Sequence, residues 1–259
     1  MKTIVCILFL LTLTISALAQ NDSTIVYNYD GYTIKGIYDT TNYCSNLSIS
    51  KNGKNILYDT ITAGTVQSIK DIKLESNGEK VLLIEYYTGG AHCCTLLTAG
   101  IIKNDKYTVK DTLFWGDSGY EIKDIDGDGV MELSGFDVRF AYAFTSFAGS
   151  QFPILIFQYK NGKFIDVTKK FPKLIEKDLA DYKKQLNDDY LTKGYNCPQP
   201  GQDIYSAESG PVQALLAAIT EDYYNLGKVD DAYDYINKVY KCDDKKAFIQ
   251  TLKKDYKLK

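Results

Sequence analysis

Histidine, arginine and tryptophan are nearly absent from this sequence of 259 residues, which has one of each: His92, Arg139 and Trp115. A single imidazole leaves little material for a zinc site, because zinc usually takes four Cys or His ligands in spaced pairs. Acidic residues number 33 against 30 lysine and arginine residues, so the formal net charge is −3. This balance argues against nucleic acid as a partner.

Long apolar runs are missing after the first twenty residues. A membrane-spanning helix needs about 18–20 consecutive apolar residues, whereas later runs such as Pro153–Phe157 have the length of a strand. We therefore expect no membrane span. The N-terminal run Ile4–Leu13, preceded by Lys2 and followed by Ala17-Leu18-Ala19, is typical of a secretory signal peptide spanning residues 1–19. The sequence predicts a periplasmic or secreted protein, cleaved near Ala19 and without a cysteine there to carry a lipid anchor.

Short strand-like segments separated by turn residues fill residues 20–170. Asn52-Gly53 lies between Leu47–Ser50 and Asn55–Tyr58, which is the strongest local signal for a β-hairpin. Lys160–Lys163 separates two further apolar segments in the same way. These patterns predict an antiparallel, β-rich domain with a meander or propeller-blade-like arrangement.

The periodicity changes in residues 171–259. Ile175, Leu179, Tyr182 and Leu186 recur at steps of four, three and four, which places them on one face of a helix. Further helices are predicted after the loop that contains Cys197, the first of them between Pro211 and Gly227. The fold class expected for the whole chain is α+β, with a small helical bundle after the β domain.

The acidic segment between Asp124 and Glu132 is the sharpest motif in the chain. Calcium takes six to eight oxygen ligands, and a tight loop with alternating carboxylates supplies them. Here glycine at position six, Gly129, allows a sharp turn. The sequence predicts a structural Ca²⁺ held by side-chain oxygens and one backbone carbonyl, from Asp124, Asp126, Asp128, Val130 and Glu132. The alternative is an acidic hairpin turn that binds no ion.

The flanks of this loop are strand-like, and Gly135 stands where an EF-hand has its bidentate glutamate. The loop resembles instead the calcium loops of FG-GAP repeats in integrin-type β-propellers, although that family usually has aspartate in place of Glu132. With this loop and the motif Gly89-Gly90-Ala91-His92-Cys93-Cys94, the chain also resembles a family of uncharacterised secreted bacterial proteins. That resemblance implies export and a β-plus-α layout, and it implies no activity.

Five cysteines remain after the predicted cleavage: Cys44, Cys93, Cys94, Cys197 and Cys242. Disulfides are the default in an oxidising compartment. We expect one bridge from Cys93 or Cys94 to Cys44 and another between Cys197 and Cys242. A bridge between Cys93 and Cys94 is the alternative, and it would need a distorted or cis peptide.

Arg139 stands in a chain that otherwise uses lysine, so it should lie where a planar, bidentate donor is needed. One interpretation is a structural bridge to Asp137, two residues away on the same face of a strand, or to the calcium loop. The other is an anion-binding group in a pocket walled by Phe140, Tyr142 and Phe144.

These observations favour a non-enzymatic protein of the cell envelope or extracellular space, whose calcium-stabilised β domain binds or scaffolds an unidentified ligand there. The alternative is a secreted enzyme, a hydrolase or a thiol oxidoreductase, that uses His92 and Cys94. On a strand these two side chains would share a face, so a Cys–His pair is possible.

Overall fold

The computed structural model describes residues 23–61, 64–74, 80–90 and 93–259. The predicted signal peptide and His92 lie outside these residues. The described part confirms the α+β fold class, because three antiparallel sheets of four strands precede four helices.

Each sheet is a meander in which strands that follow one another in the chain are hydrogen-bonded neighbours. Asn52 and Gly53 both have positive φ, 50° and 77°, at the turn between the third and fourth strands of the chain, as two-residue hairpin turns require. The first sheet contains β1 (Thr24–Tyr29), β2 (Tyr32–Asp39), β3 (Cys44–Lys51) and β4 (Lys54–Ile61). The second contains β5 (Thr65–Lys73), β6 (Lys80–Tyr87), β7 (Thr95–Lys103) and β8 (Lys106–Gly116). The third contains β9 (Tyr120–Lys123), β10 (Glu132–Phe136), β11 (Ile154–Lys160) and β12 (Lys163–Asp166).

The second sheet is buried on both faces. Leu82 and Ile84 of β6 pack in a core with residues of the first sheet. Leu83 points the other way, into a core that includes Trp115 of β8 and Leu133 of the third sheet. Side chains alternate between the two faces of a strand, so the uninterrupted apolar run of β6 reflects burial on both sides.

The helices are α1 (Pro172–Leu186), α2 (Gly210–Asn225), α3 (Val229–Val239) and α4 (Lys245–Lys254). The apolar face predicted for α1 is confirmed, because Ile175, Leu179 and Leu186 are buried. None of the described helices is long and apolar enough to cross a membrane.

The segment between β10 and β11 connects the sheets to the helices. Phe140 and Ala143 of this segment belong to the helical core, together with residues of α1 to α4. The strand predicted through Asp137 and Arg139 is wrong, since Val138–Phe140 forms a 3-10 turn. The physical reason is local: the Asp137 side chain accepts the Arg139 backbone N–H at 2.9 Å and so caps that turn.

Candidate functional site

The acidic loop joins β9 to β10, two neighbouring strands of the third sheet. Its aspartates fold the loop by accepting backbone N–H groups. Asp124 accepts from Gly127 at 2.7 Å and from Gly129 at 2.9 Å, while Asp128 accepts from Val130 at 2.8 Å. Both glycines have positive φ, 78° and 85°. The glycines therefore permit the turns that bring the aspartates to one side.

One carboxylate oxygen from each of Asp124, Asp126 and Asp128 lies within 4.8 Å of the other two. Asp124 is half-buried and the other two are exposed. Three oxygens at this spacing form part of the shell that a hard cation needs. Without a cation, the same arrangement places like charges next to one another, which is unfavourable.

Glu132 lies apart from this group of three. It is fully buried at the first position of β10, where Oε2 accepts the Ile125 N–H at 3.0 Å and Oε1 accepts Gln158 Nε2 at 3.0 Å. Burial raises the pKa of the Glu132 carboxyl, partly offset by these two hydrogen bonds, and the nearby Asp126 and Asp128 charges raise it further. In this position Glu132 ties the loop to β11.

Arg139 forms a structural bridge to Asp137 and not to the acidic loop. Its Nε donates to Asp137 Oδ2 at 2.8 Å and its Nη2 donates to the same oxygen at 2.5 Å. Nη2 also lies 3.4 Å from Oε1 of Glu221 on α2. Burial raises the pKa of Glu221 to about 7, with the Arg139 charge acting in the opposite direction. No sequence pattern links Glu221 to Arg139, because the two residues are 82 positions apart.

Two disulfides are present among the described residues. The predicted bridge between Cys197 and Cys242 is there and joins the loop before α2 to the segment before α4. The predicted bridge to Cys44 is not, because Cys93 is bonded to Cys94 and Cys44 is free. Cys44 begins β3 of the first sheet and pairs there with Asp39 of β2, whereas the other two cysteines precede β7 of the second sheet.

The Cys93–Cys94 bridge follows a sharp turn. Gly89 and Gly90 have φ of 84° and 102°, and beyond them Thr88 N donates to the Cys94 carbonyl at 3.0 Å. Cys94 is buried and lies just before β7, so the strand predicted through Cys94 is wrong at this position. Because its sulfur is bonded to Cys93, the thiol-enzyme hypothesis has no free nucleophile at Cys94 in this structure.

Two carboxyls lie between α1 and α2: Asp222 on α2 is buried, and Asp178 on α1 is half-buried. Asp222 is fully buried, and neither of its side-chain oxygens has a hydrogen-bond partner within the described chain. Burial raises the pKa of Asp222 to about 9, with Asp178 and Glu221 adding like-charge repulsion. Burial likewise raises the pKa of Asp178, although Asp178 accepts the Ile154 N–H at 3.0 Å. An aspartate on a helix is usually a surface residue, so no local sequence pattern predicts that Asp222 is buried.

The fold and loop define an α+β protein of three stacked meander sheets with a helical region.

No family model and no solved structure matches the chain. A stretch of 95 residues, 36% of the chain, is 36% identical to a probable thylakoid lumen protein of Synechocystis sp. and covers 28% of that protein. Another match, 30% identical over 89 residues, covers 34% of the chain and 14% of an uncharacterised protein of Sinorhizobium fredii. The chain thus spans less than a third of either relative.

Proposed function

We propose that this chain is an exported, non-catalytic binding or scaffolding module whose β domain is stabilised by Ca²⁺. The observation that carries the ion site is the cluster of Asp124, Asp126 and Asp128 oxygens within 4.8 Å of one another. Oxygen donors at this spacing suit a hard cation, and calcium tolerates irregular loops better than magnesium does. The loop is exposed at its tip, so water molecules complete the shell.

The position of the loop supports a structural role for the ion. Asp124 directly follows β9, and Glu132 begins β10, so a cation at the aspartates clamps the connection between paired strands. Glu132 extends this effect to β11 through Gln158. An ion that binds the folded loop and not the unfolded chain stabilises the fold, by an amount that grows with the logarithm of the free ion concentration above Kd.

Export is supported by three observations. The N-terminal residues have the tripartite pattern of a secretory signal peptide. One relative is described as a probable protein of the thylakoid lumen, a compartment reached by crossing a membrane. The Cys197–Cys242 disulfide agrees with an oxidising destination.

The ion site is tested by thermal unfolding of the mature protein, followed by circular dichroism in millimolar calcium and in EDTA. At a calcium concentration of about 100 times Kd, binding contributes about 2.7 kcal/mol, which raises the melting temperature of a domain this size by several degrees. We expect calcium to raise the melting temperature and magnesium to raise it less.

A variant pair makes the assay specific to the loop. Asp128→Asn removes one of the three clustered charges and should abolish most of the calcium shift. Asp30→Asn, in the turn between β1 and β2, changes the same charge away from the loop and should leave the shift intact. Equal melting temperatures of the wild-type protein in calcium and in EDTA would rule out the ion site.

A further inference from the structure

A cavity lined by aromatic side chains lies between the segment after β10, the loop before α2 and the end of α4. Its volume is about 480 Å³, within the range of about 300–1,000 Å³ that is usual for small-molecule sites. Its wall contains Arg139, Tyr142, Phe144, Tyr205, Asp255 and Tyr256. Three chain segments that are distant in sequence therefore contribute to one pocket.

The backbone at this pocket is held in an unfavourable conformation. Tyr142 and Phe144 have φ of 57° and 64°, in the left-handed region that bulky side chains rarely adopt. Such a conformation persists only where the surroundings enforce it, and it often marks a functional site. Here Ser150 Oγ accepts the Tyr142 N–H at 2.8 Å, and the Ala143 N–H donates to Phe140 at 3.0 Å.

The aromatic rings differ in exposure. Phe144 packs edge-on against Phe248 of α4, with centroids 5.0 Å apart, and stacks on Tyr256 at 6.0 Å. Tyr142 and Tyr205 are 47% and 55% exposed. Tyr142 also packs on Phe147, with centroids 5.4 Å apart. Two rings of the wall are thus largely enclosed, while Tyr142 and Tyr205 are about half-exposed.

The polar groups of the pocket are already oriented. Arg139 donates from Nε to Asp137 and from Nη2 to Glu221. Its Nη1 has no hydrogen-bond partner within the described part of the chain. A carbonyl from each of two walls, those of Phe144 and Ile204, lies 2.6 Å from where a Cβ on Gly210 would stand. The two walls therefore approach each other too closely at Gly210 for any side chain at that position.

The charge balance argues for an uncharged ligand. The Arg139 charge is compensated by Asp137 at 2.5 Å, and Asp255 adds a further carboxylate at the wall, so no excess positive charge is available to attract an anion. Aromatic faces carry partial negative charge and pack well on C–H groups. A sugar ring combines C–H faces with hydroxyl groups at its rim, which can accept from Arg139 Nη1 and donate to a carboxylate.

We propose that this cavity binds a neutral saccharide, with Tyr142 and Tyr205 contacting the ring faces and Arg139 Nη1 donating to a hydroxyl. The proposal names a ligand class for the binding role proposed above, and in that respect rests on it. It does not involve the acidic loop.

The test is saturation-transfer NMR on the mature protein in calcium, with cellobiose, maltose, lactose and diacetylchitobiose as neutral probes and glucuronate as the anionic probe. Tyr142→Gly is the informative variant, because glycine removes the ring and relieves the left-handed backbone at φ 57°. We expect at least one neutral probe to bind, and the variant to weaken binding by about tenfold, or about 1.4 kcal/mol, while its circular dichroism spectrum stays that of the folded protein.

Tyr43→Gly is the matched control. Tyr43 has the same residue type, a similar φ of 54° and 75% exposure, in the turn before β3. It should leave binding unchanged. Binding of glucuronate alone, no binding of any neutral probe, or equal loss in both variants would overturn the proposal. Because the ion site is tested by the melting temperature in EDTA, either proposal can fail without the other.

Discussion

Replacing Asp222 by asparagine should stabilise this protein at alkaline pH and not at acidic pH. The side chain is fully buried between α1 and α2, and both of its oxygens lack hydrogen bonds within the described chain. The Asp178 and Glu221 charges add like-charge repulsion. A carboxylate in such surroundings is unfavourable, and the protein responds by keeping Asp222 protonated. Asparagine has nearly the same shape and cannot ionise.

The direction and size of this pH-dependent stability difference follow from the pKa of Asp222. Burial raises the pKa of Asp222 from 3.8 to about 9, so between these values the folded state holds a proton that the unfolded state has lost. Stability therefore falls as pH rises through this window, by up to about 1.4 kcal/mol per pH unit. Between pH 5 and pH 8, the stability of Asp222→Asn relative to wild type should rise by up to about 4 kcal/mol.

The asparagine amide also lowers stability by an amount of its own. Its N–H groups also lack partners, at a cost of about 1–3 kcal/mol that does not depend on pH. We therefore expect the variant to be equal to or less stable than wild type at pH 5, and more stable at pH 8. Glu221, whose pKa burial raises to about 7, is present in both proteins, so its titration contributes to both.

Urea unfolding monitored by circular dichroism at pH 5, 6, 7 and 8 measures this difference. Asp234→Asn, on the exposed face of α3, is the control and should show no trend with pH. If Asp222→Asn is less stable than wild type by the same amount at every pH, the carboxyl is not protonated in the folded protein and the reasoning fails.

Two further predictions follow from packing and covalent links. Gly135→Ala should lower stability by about 1–3 kcal/mol, because a Cβ there would meet the Trp115 ring at 2.5 Å and the Gly119 carbonyl at 2.6 Å, whereas Gly119→Ala has open space and should be neutral in the same thermal melt. Replacing both Cys197 and Cys242 by alanine should cost about 4 kcal/mol, since the bridge closes a loop with a sequence separation of 45; a melting temperature equal to that of the oxidised wild type would contradict this.

Local patterns predicted the elements of the fold well. The hairpin at Asn52-Gly53 follows from turn chemistry that two residues settle between themselves. The helix containing Ile175, Leu179 and Leu186 follows from a periodicity visible within fifteen residues. The sequence does not predict the stacking of the three sheets, because the stacking depends on which faces of the sheets meet. The uninterrupted apolar run of β6 is the one local feature that reflects it.

The cysteines show where local reasoning fails in another way. Loop-forming bridges are common, so Cys44 was the expected partner of Cys93 or Cys94. The structure has Cys44 on β3 and the other two cysteines in the turn before β7. Their mutual bond needs no approach between sheets. Sequence spacing alone does not reveal the positions of two segments in different sheets.

Arg139 separates what composition can predict from what only the fold provides. Its rarity indicated a position where lysine would fail, and the structure gives the reason: two different nitrogens, Nε and Nη2, hold Asp137, and an ammonium has only one. The pocket predicted around it contains Tyr142 and Phe144, while Phe140 is buried behind it against Tyr256. The opposite wall, with Tyr205, comes from a segment more than sixty residues away. A rare residue can therefore indicate where a site lies, but the groups that decide what it binds are brought there by the packing of helices against sheets.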